Sequence, residues 1–220
     1  HMKEGGGLVL RTDLAWFLME GCAFFSMLSC LLLSTRNEIP RYILGSMFLV
    51  HYFNRTFVYT LRMRSGFRPM YASIACLGGL FCTLNGYVNG RYLFKFGELG
   101  EGVSMESWRF WTGCLLWAGG AALNVWGDET LRRLRPVNSQ EYKVPHKGLF
   151  NYVSCPNFLG EIIEWFGWSM AAGFSKPSLA FSLWTFSFLS SRAYEHHQWY
   201  LRSFKNYHQL KRRILVPFLW

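Results

Sequence analysis

The side chains most able to do chemistry in this chain form three polar stripes, each near one end of an apolar stretch. The first stripe has intervals of four, four and three residues and consists of Asn124, Asp128, Arg132 and Arg135. The second is Asn157, Glu161 and Glu164, and the third is Arg192, His196 and Tyr200. Side chains at such intervals share one face of a helix. Three polar faces on neighbouring helix ends predict a shared polar cavity.

The chemistry of these stripes indicates what the cavity would bind. Arginines suit phosphate groups, because a guanidinium makes paired hydrogen bonds to phosphate oxygens. Asparagine and acidic side chains suit amide and hydroxyl groups. A nicotinamide dinucleotide has all of these groups, and the extra arginines favour NADP over NAD, since they can bind its 2′-phosphate. The alternative for any single stripe is a solvated face or an internal network of salt bridges.

The signatures of soluble nucleotide and metal sites are missing from the chain. It has no GxGxxG after a strand, no GxxxxGK followed by Ser or Thr, and no HExxH. His196 and His197 are adjacent, so they point about 100° apart on a helix and make a poor pair of metal ligands. The sequence therefore predicts no metal site, and a dinucleotide site that is built by a helix bundle and not by a Rossmann fold.

Further polar residues lie inside the apolar stretches. They are Glu20 in the first stretch, His51, Tyr52, Asn54 and Arg55 in the second, and Asn85 in the third. An ionisable group at membrane depth is costly, so each is a hypothesis for a functional site and must face the interior of a bundle. The alternative is hydrogen bonding between helices that only fixes their packing.

Six apolar stretches of about 20 residues are long enough to cross a membrane as helices. They are Leu14 to Ser34, Tyr42 to Leu61, Tyr71 to Phe94, Trp108 to Val125, Tyr152 to Phe174 and Leu179 to Leu201. The composition agrees, with 51% hydrophobic and 19% aromatic residues beside 16% charged ones. We predict an all-α, polytopic transmembrane helix bundle of six spans. A soluble helical protein with buried helices is the alternative.

The basic residues support this topology. If six spans alternate, one side of the membrane collects fifteen of the 23 lysines and arginines and the other side five, with three near or within spans. Positively charged loops stay in the cytosol, so both ends of the chain and the polar stripes are predicted to be cytosolic. The net charge of +10 comes in short runs between apolar stretches, which indicates membrane lipid as a partner and not nucleic acid.

The chain is predicted to be a single transmembrane domain over residues 14–220, after a disordered lead over residues 1–13. The segment from Asp128 to Asn151 is basic and contains two prolines, which predicts a loop that faces the cofactor. The six cysteines form no CxxC pair, so they are predicted to be buried thiols without disulfides. No obligate protein partner is evident.

Several segments carry a resemblance to a known family. The run GLFNYVSCPNFLGEIIEW, from Gly148 to Trp165, resembles the signature of the steroid 5α-reductase family, as do SSRAYEHHQWYL and the closing ILVPFLW. Upstream, AWFLMEG, HYFNRTFVY and NVWGDETLRRLR are also similar to family segments. The resemblance covers nearly the whole chain from Asp13. It implies an integral, multi-pass membrane enzyme that uses NADPH to reduce a carbon–carbon double bond conjugated to a carbonyl, as in 3-oxo-Δ4-steroids.

The resemblance also implies roles for particular residues. Glu20 and Tyr52 would hold the substrate carbonyl, and Trp16 and Arg55 are further candidates for the substrate pocket. The implied cofactor site consists of Asn124, Asp128, Arg132, Arg135, Asn157, Glu161, Arg192, His196 and Tyr200. The substrate would be a lipophilic steroid that enters from the bilayer. The membrane would be the endoplasmic reticulum in a eukaryote or the inner membrane in a bacterium.

The chain departs from the family pattern in three places. Typical relatives have one more span before Leu14, so we expect this sequence to lack it. Met19 precedes Glu20 where Gln is common, and Gly21 follows where Leu-Pro is common. A triple histidine of some relatives reads Glu195, His196 and His197 here. We expect these changes to affect the shape of the substrate more than the chemistry.

In the implied mechanism, negative charge develops on the carbonyl oxygen as a hydride adds to the enone, and donors at that oxygen lower the barrier. Tyr52 has a hydroxyl donor, whereas Glu20 donates only when it is protonated, a form that removal from water favours.

Two other classes of function remain open. A reductase of enoyl thioesters such as trans-2-enoyl-CoA, or of polyprenols, would use the same cofactor cavity. A transporter or receptor would place charges within spans but would need no dinucleotide.

Overall fold

The computed structural model describes residues 7–63, 69–100, 102–135 and 142–220. The described part of the chain is mainly helical, as predicted. Its six α-helices are α1 (Thr12–Leu32), α2 (Ile39–Phe53), α3 (Ala72–Arg91), α4 (Trp108–Leu134), α5 (Pro156–Ala171) and α6 (Lys176–Ser203). Each helix corresponds to one of the predicted apolar stretches, so the number and order of the helices are confirmed.

Several helix boundaries differ from the prediction, and those of α4 and α5 matter most for the site. Helix α4 continues past the predicted end at Val125 to Leu134, so Asp128 and Arg132 are helical and do not belong to a loop. Residues 136–141 of that predicted loop lie outside the described residues. Helix α5 begins at Pro156 and not at Tyr152. Proline suits the first turn of a helix, since the amide it lacks would have no partner there. The hydrophobic pattern could not show that α4 extends beyond its apolar part.

Two helices end in a π-helical turn. The turn π1 (Asn54–Tyr59) continues α2, and the turn π2 (Tyr92–Phe96) continues α3. Such turns are rare and often occur at functional sites. Two short 3₁₀ helices, Gly148–Asn151 and Tyr207–Leu210, lie later in the chain.

The segment before α1 is ordered by a pair of short strands. Strand β1 (Val9–Leu10) pairs antiparallel with β2 (Met70–Tyr71), with Val9 opposite Tyr71. The Ala72 amide also donates to Leu8 O at 2.9 Å. Residues 8–13 therefore differ from the disordered lead that the sequence predicted, because their backbone groups find partners at the start of α3. Residues 1–6 of that lead lie outside the described residues.

The chain divides into two compact units, which we call unit 1 (His1–Glu98) and unit 2 (Leu99–Trp220). Each unit contains three of the described helices, α1 to α3 in unit 1 and α4 to α6 in unit 2. Such a division does not test whether the units fold separately, so one domain over residues 14–220 stays a prediction.

In unit 1, α1 and α3 run in the same direction and α2 runs against them. The strands β1 and β2 join the starts of α1 and α3, and the Thr35 amide donates to Phe94 O at 3.2 Å near their ends. Near the start of α2, Arg41 donates to Leu93 O at 2.6 Å. Contact between α1 and α3 is close at Gly86, where an added Cβ would lie 2.6 Å from Ala23 O. Glycine is therefore required there for packing.

In unit 2, α4 and α5 are antiparallel and meet along a seam of glycines. The seam consists of Gly113, Gly120 and Gly127 on α4 and Gly160 and Gly167 on α5, each seven residues from the next on its helix. A Cβ on Gly120 would lie 2.6 Å from Gly160 O, and a Cβ on Gly160 would lie 2.5 Å from Asn124 N. The two backbones are thus in direct contact, as small residues allow in membrane helices.

The C-terminal tail of unit 2 packs against the start of α5. Val153 and Arg213 form an isolated parallel bridge, and the Ser154 amide donates to Arg213 O at 2.9 Å. Leu215 is buried with Cys155 of the helix start and Ala193 of α6. All six cysteines are free, and the predicted burial holds for Cys30, Cys82 and Cys155, whereas Cys22 and Cys114 are half-buried and Cys76 is exposed.

One helix in the described part of the chain, α1, has the length and hydropathy of a membrane span. The α5 helix contains only 16 residues, whereas α2 together with π1 is helical from Ile39 to Tyr59. A 16-residue helix is about 24 Å long, shorter than a hydrocarbon core of about 30 Å.

Candidate active site

In unit 1, Glu20 of α1 and Arg55 of π1 face one another. Both are buried, with 9% of each residue exposed. Arg55 Nη2 lies 3.8 Å from Glu20 Oε1. The π turn presents Arg55 towards α1, so a rare helical geometry supplies the cation. The sequence placed both residues among the site candidates but did not predict this pair.

The guanidinium of Arg55 also lies over two aromatic rings. Its Cζ atom is 4.7 Å from the Trp16 ring centroid and 4.8 Å from the Tyr59 centroid. Trp16 and Tyr59 meet edge to face with centroids 5.8 Å apart. A cation over an aromatic face is stabilised by the electron density of the ring. The structure thus brings Trp16, Glu20 and Arg55 together.

Tyr52, on the last turn of α2, lies three residues before Arg55 and is buried. Its ring is 4.6 Å from that of Phe48 and 5.1 Å from that of His51. Asn85 Nδ2 of α3 lies 3.2 Å from the Tyr52 hydroxyl. Residues three apart share a helix face, so Tyr52 and Arg55 point in similar directions. This part of unit 1 offers a few polar atoms within aromatic surroundings, which suits an apolar ligand that carries one polar group.

In unit 2, the first two predicted stripes meet across the glycine seam. Asn124 Nδ2 donates to Asn157 O at 3.1 Å and to Glu161 Oε2 at 3.2 Å. Asn157 Nδ2 donates to Asp128 Oδ1 at 2.9 Å. These four residues interlock α4 and α5, and we call them the amide network. The structure thus brings four side chains of the first two stripes together, while the predicted cavity shared by all three stripes stays a prediction.

The seam explains why these side chains can reach one another. A Cβ on Gly127 would lie 2.8 Å from Asn157 Cβ, so the helix axes are close at this level. The remaining carboxylate of the second stripe, Glu164, is fully buried within the helix packing. Asn124 and Asn157 are buried as well, whereas Asp128 and Glu161 are half-buried.

The two arginines of the first stripe have different surroundings. Arg132 donates through Nε and Nη2 to both oxygens of Glu129, each at 2.7 Å. Arg133 donates to the same carboxylate at 2.6 Å. Glu129 was missed as a functional neighbour, although its spacing of three and four residues from the arginines is the usual signal for helical ion pairs.

Arg135 is not part of the helical stripe that the sequence predicted. Helix α4 ends at Leu134, and Arg135 has ψ 124°, an extended conformation. Its guanidinium lies 4.7 Å from the Tyr142 ring centroid, and Nη2 lies 3.1 Å from the Tyr142 hydroxyl. The helix ends before the eleven-residue interval from Asn124 to Arg135 is complete. Arg135 therefore lies just after the helix, beside the exposed ring of Tyr142.

The third stripe, on α6, makes contacts of another kind. Arg192 pairs with Glu195 at 3.1 Å, and both side chains are at least half exposed. The ring of His196 lies 5.6 Å from that of Phe158 on α5. Tyr200 stacks on Tyr207 with centroids 4.9 Å apart. Phe158 links this stripe to α5 next to Asn157, so the three stripes lie on adjoining helices, as predicted.

A second hydrogen-bonded cluster in unit 2 was missed by the sequence analysis. Ser154 Oγ lies 2.6 Å from His197 Nδ1 and 2.8 Å from the Tyr207 hydroxyl. Burial raises the pKa of Tyr207, while its contacts with Ser154 and Arg212 oppose that rise. Ser154 and Tyr207 are 53 residues apart, so no local spacing could have paired them. The cluster fixes the tail to the segment that precedes α5.

Comparisons with known proteins identify relatives over most of the chain. A profile of the family described as 3-oxo-5-alpha-steroid 4-dehydrogenase matches residues 68–220. The 3-oxo-5-alpha-steroid 4-dehydrogenase 1 of Mus musculus is 40% identical over 212 residues, which are 93% of this chain and 80% of that protein. The 3-oxo-5-alpha-steroid 4-dehydrogenase 2 of Homo sapiens is 40% identical over 208 residues, which are 94% of this chain and 80% of the relative.

These similarities confirm the resemblance drawn from the run between Gly148 and Trp165. The matched region of the profile contains the whole amide network and the third stripe, and the alignments with the relatives extend over most of unit 1 as well. On these grounds the chain belongs to the 3-oxo-5-alpha-steroid 4-dehydrogenase family of oxidoreductases.

Proposed function

We propose that the protein reduces the conjugated carbon–carbon double bond of a 3-oxo-Δ4-steroid and uses NADPH as the reductant. The observation that carries this proposal is that Glu20 and Tyr52 of unit 1 are both buried, Tyr52 beside the ring of Phe48 and Glu20 beside Arg55, whose guanidinium lies over an aromatic ring. A steroid enone is an apolar body with a single carbonyl oxygen. The relatives are named as 3-oxo-5-alpha-steroid 4-dehydrogenases, and these names support the same substrate class.

The residues of unit 2 fit a dinucleotide. The amide network combines two amides and two carboxylates in one place. Beside it stand Arg132, which is bound to Glu129, and Arg135, which contacts the ring and the hydroxyl of Tyr142. Nine residues would hold NADPH: Asn124, Asp128, Arg132, Arg135, Asn157, Glu161, Arg192, His196 and Tyr200. Guanidinium groups suit its phosphates, and the amides and carboxylates suit its carboxamide and hydroxyl groups.

Bound NADPH would supply a hydride for the β-carbon of the enone. The task of unit 1 is then to stabilise the negative charge that develops on the carbonyl oxygen. Tyr52 would donate its hydroxyl proton in a hydrogen bond to that oxygen. Glu20 would donate a second only in its protonated form, which the guanidinium of Arg55, 3.8 Å from its carboxyl group, opposes. A water-poor aromatic setting strengthens both interactions. Trp16 and Arg55 would line the same pocket.

We place the six helices in a lipid bilayer, which each of them crosses once. On α3 a continuous exposed stripe is apolar: Ile74, Leu77, Leu80, Leu84 and Val88. On α6 the exposed side chains include Leu183, Trp184, Phe186 and Phe188. Soluble proteins rarely expose contiguous apolar surface of this extent. The basic residues at the ends of the helices favour a cytosolic cofactor site, in the endoplasmic reticulum or in a bacterial inner membrane.

The reaction is tested by substrate comparison. Purified protein in lipid nanodiscs is given NADPH with a 3-oxo-Δ4-steroid, a trans-2-enoyl-CoA or a polyprenol, and the loss of NADPH absorbance is measured together with the product. We expect turnover with the steroid alone. Turnover with the thioester or the polyprenol alone would assign a sister chemistry. Absence of NADPH binding would instead favour a transporter or receptor.

The topology is tested by labelling in sealed vesicles. In a Cys76→Ser background, Lys143→Cys is expected to react with a membrane-impermeant maleimide from the cytosolic side. The matched variant Lys176→Cys, at the start of α6, is expected to react only from the opposite side. Both positions are exposed, so access depends on the side of the membrane. Labelling of Lys143→Cys only from the non-cytosolic side would overturn the topology.

A further inference from the structure

Three buried polar side chains of unit 1 form a hydrogen-bonded chain that reaches Tyr52. Asn89 and Asn85 lie one turn apart on α3, and Tyr52 lies on α2. Their exposed fractions are 3%, 7% and 4%. Buried amides are expensive unless they find partners. Apolar residues of similar size would be enough to pack α2 against α3. Two buried amide side chains therefore indicate a role beyond packing.

The direction of each hydrogen bond is set by a backbone carbonyl. Asn89 Nδ2 lies 3.1 Å from Asn85 O and 2.9 Å from Asn85 Oδ1. A main-chain carbonyl can only accept, so the Asn89 atom that faces it is the nitrogen. That nitrogen also donates to the side chain of Asn85, which must present its oxygen. The nitrogen of Asn85 is then turned to the Tyr52 hydroxyl, 3.2 Å away.

This direction determines what the Tyr52 hydroxyl can do. Its oxygen accepts from Asn85, so its proton is directed to an acceptor other than Asn85. A hydroxyl that accepts one hydrogen bond is a stronger donor in the next, because each bond polarises its neighbour. The N–H of Asn85 also lies beside the oxygen that gains negative charge when Tyr52 donates to a carbonyl under reduction. Both effects favour the charge distribution of the transition state.

We propose that Asn85, fixed in orientation by Asn89, is a positioning residue that presents the Tyr52 hydroxyl as a donor to the substrate carbonyl. This inference rests on the role of Tyr52 in the proposed function. Asn85 acts through Tyr52 and is not itself a catalytic residue. Asn89 stands one step further away and acts by preventing the Asn85 amide from turning its oxygen to Tyr52.

The test is a double-mutant cycle in nanodiscs with a steroid substrate. Asn85→Leu keeps the approximate volume and removes the donor. We expect kcat to fall on the order of tenfold, the effect of losing a hydrogen bond to a group that gains charge. The steroid KM and the NADPH Kd should stay within about twofold of the original values. Thr83→Val is the control, because Thr83 is an exposed residue on α3 that bonds to its own helix at Gly79 O.

The cycle distinguishes positioning from a structural role. In a Tyr52→Phe background, Asn85→Leu should cause no further loss of kcat, since the group through which it acts is gone. Equal losses in both backgrounds would overturn the proposal. If Asn85→Leu does not yield protein that binds NADPH, Asn89→Leu is used instead, with an expected loss of about threefold that also disappears in the Tyr52→Phe background.

Failure of this inference can be separated from failure of the proposed function. If Tyr52→Phe abolishes turnover but Asn85→Leu and Asn89→Leu retain it, Tyr52 is the donor and the amides only pack the helices. If Tyr52→Phe itself retains full turnover, the assigned role of Tyr52 is wrong, and the role of Asn85 is wrong with it.

Discussion

The two units of the chain hold the charged groups of their candidate sites in different ways. In unit 1 the pair of Glu20 and Arg55 lies beside aromatic rings, with Arg55 over Trp16 and Tyr59. In unit 2 the polar side chains bind one another across two helices, as Asn124, Asn157 and Asp128 do. An isolated polar group in an apolar setting interacts strongly with one ligand atom. An extended amide and carboxylate network suits a ligand with many polar groups. The difference predicts that turnover and cofactor affinity respond to different residues.

The largest expected effect comes from removing the donors of unit 1. Glu20→Leu and Tyr52→Phe should each lower turnover of a 3-oxo-Δ4-steroid by about a hundredfold to a thousandfold, or about 2.7 to 4 kcal/mol, because an oxyanion donor is lost. The NADPH Kd should change by no more than a few-fold. Tyr42→Phe is the control, since Tyr42 bonds to Arg36 O at the far end of α2.

The same series sharpens the role of Glu20, which lies beside Arg55. A protonated carboxyl can donate to the carbonyl, and so can the amide of Glu20→Gln, which should retain more turnover than Glu20→Leu. If the two variants lose turnover equally, Glu20 contributes to turnover through its ion pair with Arg55 and not as a hydrogen-bond donor. Near-full turnover of Glu20→Leu would show that Glu20 does not polarise the carbonyl.

The next effect concerns the arginine at the end of α4. Arg135→Ala should weaken NADPH binding by about tenfold to a hundredfold, because a charged hydrogen bond to phosphate contributes roughly 1.5 to 3 kcal/mol. NADH binding should change little. Arg133→Ala is the matched control, as Arg133 is exposed and paired with Glu129. Equal losses for both cofactors, measured by calorimetry, would place Arg135 at the pyrophosphate or in the fold.

A third effect should appear in stability. Gly120→Ala forces a Cβ against Gly160 O and should destabilise unit 2 by about 1 to 3 kcal/mol through overpacking. Gly119→Ala is a matched comparison, since an added Cβ there meets nothing within 4 Å. Thermal unfolding in nanodiscs measures both variants. Equal melting temperatures would mean that α4 and α5 can separate without cost.

The smallest effect is expected from one amide of the network. Asn157→Leu removes an amide that bonds to Asp128 and that we propose faces the cofactor, so it should weaken NADPH binding about fivefold, the scale of one neutral hydrogen bond to the ligand. Steroid KM should not change. If the protein unfolds with no separable loss of NADPH binding, Asn157 serves packing only and the contrast between the units is weaker than proposed.

Periodicity predicted the helices and the polar face on each of α4 and α5, because both depend on local spacing. Asn124 and Asp128, or Asn157 and Glu161, are one turn apart, so any helix brings each pair to one face. The six helices were predicted from the length of apolar runs in the same way. These features need no knowledge of how distant segments meet.

Features that depend on distant contacts or on unusual backbone could not be predicted. The end of α4 at Leu134, which separates Arg135 from its stripe, is an exception, because Pro136 disfavours a helical conformation at the residue before it. Ser154 meets Tyr207 only because the tail returns to the start of α5. The alignment of Arg55 with Glu20 depends on a π turn, for which the sequence has no reliable signature.

The π turn π1 has a consequence for how the substrate pocket can change in evolution. A π turn commonly represents one residue inserted into an α-helix, and loss of a residue within it would rotate the downstream part of the helix by about 100°. Tyr52 precedes the turn, whereas Arg55 and Tyr59 lie within it. A single-codon deletion could therefore turn the cation and its aromatic ring away from Glu20 while leaving the tyrosine donor in place. If Tyr52 donates to the substrate carbonyl as proposed, this donor and the cation beside Glu20 lie on opposite sides of one insertion point, and selection can move the cation while Tyr52 keeps its position.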